Sequence, residues 1–314
     1  MSKPTLSLMM TDYHRTHPFF SGAVTIPGTE LKVCPPPKQG DACYKPVYEQ
    51  FDIAEMSLSW YVMARCRGEP LIALPIFPLR MFIHPYLFCR EPSDINKPED
   101  LVEKRIGIQQ YRITVGLWTR GILKEFHQVD PTKMHWVTSE PEGAGFLVPK
   151  NIELTLQSED LESLLLHGKL DALLLPNVSE AHRAGDRRIR RVFHPCREAV
   201  DNYFQSTGIF PITHTMVVHE RLFERYPWLP NALVLAFDEA NRRCRSEYEY
   251  PKRFSSPTAV LFLEEEEKRF GNDPWAHGLE SNRAVLEKFV QYAHEQGYIP
   301  FRPTVPELFA PLGE

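Results

Sequence analysis

The sequence has no run approaching the roughly 20 apolar residues that a membrane-spanning helix requires. It has no surplus of positive charge either. Lys and Arg number 36 against 41 Asp and Glu, a formal net charge of −5. Nucleic-acid binding depends on clustered cations against phosphate, so neither a nucleic acid nor a membrane is an expected partner. Cysteine is sparse and unpatterned. Cys34, Cys43, Cys66, Cys89, Cys196 and Cys244 form no C-x-x-C pair and no zinc-ribbon spacing. They read as free thiols, several of them buried as small hydrophobes. No H-E-x-x-H, no G-x-S-x-G and no metal-spaced histidine cluster is present. The opening MSKPTLSLMMTDYHRTHPFF lacks the long apolar core and small-residue cleavage site of a secretory signal. A cytoplasmic location is the expectation.

What is present suits a globular α/β protein. Of 314 residues, 43% are apolar and 25% charged, ample for one large core or two smaller ones. Strands are expected over Thr5–Met10, near Thr29–Val33 and over Phe51–Ala54. A helix follows over Ser57–Arg65 and is stopped by Gly68. Residues 71–89 are apolar but broken by Pro75, Pro78 and Pro85, so an irregular path with a strand piece at each end is predicted. RIGI at 105–108 reads as a strand and Tyr111–Phe126 as a helix. SEDLESLLLHGKLDALLLP reads as a helix capped by Ser158, a stop at Gly168 and a buried strand. DRRIRRV reads as a solvated turn, THTMVVHERLFERYPWL as a strand and a helix, and the remainder as helix-rich. Strands alternating with helices argue α/β.

Seven segments stand out together: DYHRT at 12–16, FDIAEMSLSWY at 51–61, IFPLRMFIH at 76–84, RIGIQQYRITVGLWTRGIL at 105–123, TGIFPITHTMVV at 207–218, GLESNRAVLEKFVQYAHEQG at 278–297 and ELFAP at 307–311. In these the sequence resembles the 4,5-dihydroxyphthalate decarboxylases, enzymes built on the type II periplasmic-binding-protein fold. The resemblance implies a two-lobed type II periplasmic-binding-protein-like α/β fold with a ligand cleft between lobes. Lobe one would comprise 1–104 and 214–314, and lobe two 105–213. It also implies a cytoplasmic carboxy-lyase. The sequence departs from the family pattern at Ile83, where a second Arg is often found, at Asn177, often an Arg, and at His14, often acidic.

Decarboxylating an aromatic ring requires that the ring carbon be protonated, because an aryl carbanion is otherwise left behind. An ionised hydroxyl para to the carboxylate supplies the electron density. The site then needs cations for carboxylates, a proton donor and a hydroxyl acceptor. General acid catalysis of ~10²–10⁴-fold, together with positioning, supplies such a reaction without a cofactor. No cofactor and no metal are therefore expected.

Arg80, flanked by apolar residues, is either a bidentate carboxylate clamp or a snorkelling side chain. Arg112 and Arg15 are the further clamps. His84, His214 and His14 are the candidate proton donors, each with a structural alternative: a buried hydrogen-bonded ring, a crossing residue and a solvated loop residue. Glu55 is placed to accept a phenol proton or to anchor Arg80, with Ser57 and Ser59 capping a helix or touching the ligand. Gln110, Tyr111 and Thr114 open a helix whose N-terminus suits an anion, although Tyr111 equally fits a core position. The expected partner is a small aromatic carboxylate, 4,5-dihydroxyphthalate or a close relative, and a homo-oligomer is left open. The competing readings are a non-catalytic intracellular solute-binding or sensor protein, and a biosynthetic enzyme on the same fold.

Overall fold

The computed structural model describes residues 3–36, 50–143 and 145–312, so Cys43 lies outside the described residues. The described residues of Met1–Arg80, Ile212–Glu287 and Pro303–Glu314 form one compact unit. Those of Met81–Pro211 and Lys288–Arg302 form a second. The chain first leaves unit one after Arg80, well ahead of residue 104, because the strand that follows belongs to the second sheet.

Unit one is built on β1 (Thr5–Met9), β2 (Glu30–Cys34), β3 (Ile53–Ser57), β4 (Leu71–Leu74) and β11 (His214–His219), in the order β2-β1-β3-β11-β4. β1 runs parallel to β2 and β3, whereas β11 is antiparallel to both β3 and β4. All of β3 and β4 is buried, as expected of strands covered on both faces. Its helices are α1 (His17–Phe20), α2 (Leu58–Cys66), α7 (Glu220–Arg225), α8 (Leu229–Tyr248) and α9 (Ala259–Phe270). Leu8, Ile53, Leu74, Met216 and Val218 of the sheet pack with Leu229, Leu233 and Phe237 of α8. α2 ends before Gly68, whose φ of +76° favours glycine.

Unit two is built on β5 (Leu87–Arg90), β6 (Arg105–Ile108), β7 (His135–Thr138), β8 (Glu153–Leu156), β9 (Ala172–Leu174) and β10 (Ile189–Arg191), ordered β10-β5-β9-β6-β7-β8. β9, β6, β7 and β8 run parallel, and β5 is antiparallel to both of its neighbours. Its helices are α3 (Thr114–Phe126), α4 (Leu161–Leu166), α5 (Glu180–Arg183) and α6 (Cys196–Thr207). The residues of α10 (Arg283–Glu295) from Lys288 onward belong here too. Phe289 and Tyr292 pack on Trp118 of α3. Among the described residues no helix is long and apolar enough to cross a membrane.

Three local expectations are corrected. Asp160, not Ser158, caps α4, its carboxylate accepting from the Ser163 N–H at 2.7 Å. A cap must directly precede the helix, and Ser158 stands two residues too early. DRRIRRV is only partly a turn: Ile189 is buried, and Ile189–Arg191 adds to the sheet beside β5. The helix expected from Tyr111 starts at Thr114, because the Tyr111 and Arg112 N–H groups donate to Glu142 instead. The five cysteines among the described residues are free thiols, with Cys89 and Cys244 buried.

Gly121 on α3 faces Tyr292 so closely that an added Cβ would stand 2.1 Å from the ring. A buried ring cannot move aside cheaply. Gly121→Ala is expected to destabilise the protein by about 1–3 kcal/mol, measurable as a lowered urea midpoint. An unchanged midpoint would show that the packing tolerates the methyl.

Candidate active site

The centre of unit one is a buried carboxylate. Glu55 lies on β3, and side chains alternate across a strand, so Glu55 and Ser57 share a face. His214 opens β11 directly opposite Ser57, which puts its ring on that same face. Its Nδ1 lies 2.5 Å from Glu55 Oε1. The loop after β1 closes the other side. The Thr11 N–H donates to Glu55 Oε2 and the Tyr13 hydroxyl to Oε1, each at 2.8 Å. Burial alone would raise the Glu55 pKa, but the His214 imidazole, the Thr11 N–H and the Tyr13 hydroxyl together bring it below the ordinary value. Glu55 is therefore an anion. The partner it fixes is His214, since its oxygens are engaged by that ring, Thr11 and Tyr13. Committing Nδ1 to a carboxylate sets the orientation and tautomer of the ring.

Two guanidinium groups lie in the same unit. Arg15 donates to the Pro78 carbonyl at 2.7 Å, and its Cζ sits 3.2 Å from the centroid of the Trp275 ring. Burial lowers its pKa, and the neighbouring Glu55 is among the groups that oppose this. Among the described residues Arg15 forms no ion pair. Arg80 is buried and makes an isolated antiparallel bridge to Ile212. It donates to the Ala276 carbonyl at 2.8 Å and to Asn282 Oδ1 at 2.6 Å. Burial and then the charge of Arg15 push its pKa down to about 9, so it remains cationic at neutral pH. His277 stands beside these two cations, its Nδ1 accepting from the Phe77 N–H at 3.2 Å.

Other expected residues lie elsewhere. His14 in unit one is exposed, with Nε2 3.0 Å from Glu247 and Nδ1 3.1 Å from the Cys244 thiol. Ser57 takes the N-cap position of α2 without capping it through its side chain, and its Oγ is 3.5 Å from Ser59 Oγ. In unit two, Arg112 is buried, donating to Gln110 Oε1 at 2.8 Å and standing 3.6 Å from Glu142. The anion expected at the start of α3 is thus supplied by the chain itself: Glu142 accepts from the Tyr111 and Arg112 N–H groups. Thr114 is buried at the first position of α3. Tyr111 is a core residue, edge-on to Trp136, with the Arg120 guanidinium 3.7 Å from its ring centroid. His84 is fully buried against Phe193 and Tyr203, and burial lowers its pKa to about 3.

The structure thus brings together Glu55 and Ser57 of β3, His214 of β11 and Ser59 of α2, with Arg15 and Arg80 in the same unit. Tyr13, Trp275, His277, Asn282 and Glu142 were not singled out from the sequence. Tyr13 and Asn282 lie inside the quoted segments DYHRT and GLESN, which is the signal that could have found them. Among the described residues no three His, Cys, Asp or Glu side chains are grouped to hold a metal ion.

The chain is 29% identical to 4,5-dihydroxyphthalate decarboxylase of Comamonas testosteroni over 99% of this chain and 98% of the relative. The resemblance read from the sequence is borne out. A protein of the same name from Pseudomonas putida is 28% identical over 66% of this chain and 83% of its own length. No family model matches. The periplasmic aliphatic sulphonate-binding protein SsuA of Escherichia coli superposes with a TM-score of 0.60 at 11% identity, covering 99% of this chain and 93% of that one. It bears out the α/β, periplasmic-binding-protein-like fold.

Because the folded-state pKa of Glu55 lies below its unfolded value, the carboxylate stabilises the fold fully above the unfolded pKa, and this is lost as pH falls through the folded one. Glu55→Gln should therefore lower Tm at neutral pH. The gap from wild type should narrow as pH is taken from about 6 to about 3. A gap independent of pH would contradict an ionised Glu55.

Proposed function

We propose that the protein is a carboxy-lyase that decarboxylates a hydroxylated aromatic acid, 4,5-dihydroxyphthalate giving protocatechuate and carbon dioxide, in the cytoplasm and without a cofactor. The observation that carries this reading is the His214 imidazole held by buried, ionised Glu55 in the same unit as one buried and one partly buried guanidinium group. The names of both relatives agree with it.

In this reading Arg15 and Arg80 bind carboxylate oxygens. Guanidinium geometry and poor hydration suit that task, and burial strengthens each contact. The substrate hydroxyl para to the departing carboxylate ionises and pushes its electron pair into the ring. His214 delivers a proton from Nε2 to the ring carbon that bears the carboxylate, forming the C–H bond. The C–C bond to the carboxylate then breaks, its electron pair restores aromaticity, and carbon dioxide leaves. Glu55 stabilises the imidazolium before transfer and keeps the ring aimed; it does not itself exchange the proton. The hydroxyl is reprotonated and the imidazole recovers its proton from water.

Purified protein incubated with 4,5-dihydroxyphthalate should release carbon dioxide and protocatechuate in equal amounts. His214→Asn should lower kcat by about 10²–10⁴-fold with KM little changed. Arg80→Ala should chiefly raise KM. Tight binding without turnover would replace this reading by that of a binding or sensor protein.

A further inference from the structure

Within unit one His277 has a role not yet described. Its Nδ1 receives the Phe77 N–H at 3.2 Å. A backbone amide can only donate, so Nδ1 must be unprotonated and the neutral ring must carry its hydrogen on Nε2. Among the described residues nothing accepts from that Nε2–H. The ring is half-buried beside the two cations of the site, and burial together with the charges of Arg80 and Arg15 lowers its pKa to about 3. A third cation here would repel the other two, whereas a neutral donor adds a hydrogen bond without that cost.

The segment carrying His277 is held on both sides. Asn282 Nδ2 donates to the carbonyls of Ala276 and Gly278 at 2.9 and 2.8 Å, flanking the histidine, while its Oδ1 receives Arg80. The Gly278 N–H donates to the Pro75 carbonyl at 2.8 Å, and a φ of +94° explains glycine at that position. Asn241 Nδ2 donates to the Trp275 carbonyl at 3.1 Å. The residues that fix Arg80 thereby fix His277, which is the arrangement expected of a recognition site with a supporting layer.

We propose that His277 is a substrate-recognition residue whose tautomer-locked Nε2–H donates a hydrogen bond to the carboxylate held by Arg15 and Arg80. This rests on the decarboxylase reading of the site and adds a third, uncharged contact to its anion clamp.

Two variants separate recognition from a structural role. In His277→Asn the amide oxygen stands near the place of Nδ1, so the Phe77 N–H keeps its acceptor, but the Nε2–H is lost. In His277→Gln the longer amide restores a donor near Nε2 and abandons Phe77. Phthalate, a diacid without the reactive hydroxyls, is titrated calorimetrically into wild type and both variants at neutral pH. Turnover of 4,5-dihydroxyphthalate by wild type is measured alongside. Recognition predicts that Kd for phthalate rises about 10–100-fold in the Asn variant while its Tm stays near wild type. The Gln variant should bind within about threefold of wild type with a lowered Tm. Equal Kd in wild type and the Asn variant overturns the proposal. The predicted pattern of Kd values without any wild-type turnover overturns the decarboxylase reading alone, and absence of phthalate binding by wild type overturns both.

Discussion

The site in unit one depends on keeping a carboxylate charged where water does not reach it. Burying an ion is costly unless it is matched by donors. Glu55 meets that condition with a backbone N–H, a phenol and an imidazole drawn from three parts of the chain. The loop after β1, the middle of β3 and the first residue of β11 are thereby tied to one pair of oxygens. The same contacts that stabilise the charge also aim the ring. Local stability and chemical readiness are, at this point, one arrangement.

Around that anion the charges are distributed unevenly. Arg15 is stacked on Trp275 and Arg80 is pinned by Asn282 and a backbone carbonyl, so both are held in place largely by neutral partners. Asp273, whose charge raises the pKa of Arg80, pairs with Arg245 at 2.9 Å. At the start of α3, by contrast, Glu142 already meets the Tyr111 and Arg112 N–H groups and the Arg112 guanidinium. Arg112 is thus met by a carboxylate of its own unit.

The sequence was most informative where a pattern has a single structural solution. The prolines between residues 71 and 89 could only break a strand, and the strand pieces Leu71–Leu74 and Leu87–Arg90 flank them. Gly68 and Gly168 both take positive φ after their helices. The quoted segments contain His214, Glu55, Arg15 and Arg80, which the structure places in one unit. What could not be read was pairing. Glu55 offered Arg80 or a phenol as partners, and only the register between β3 and β11 shows that His214 takes it. Periodicity placed Tyr111 in a helix and missed the carboxylate of Glu142, distant in sequence, that holds its N–H outside one. His277 carries no local signal, since its meaning comes from an amide 200 residues earlier.

The connectivity of unit one bears on how the protein is made. β4 is completed by residues 308–310: the Ala310 N–H donates to the Ala73 carbonyl at 2.8 Å, the Leu308 carbonyl receives the Tyr61 hydroxyl, and Phe309 packs edge-on to Phe77. The wall beside β4 is therefore unfinished while residues 303–312 are still inside the ribosome. Strands that emerge first must wait, with apolar surface showing, until residues 303–312 have been made. Nascent-chain chaperones would have a window of engagement there.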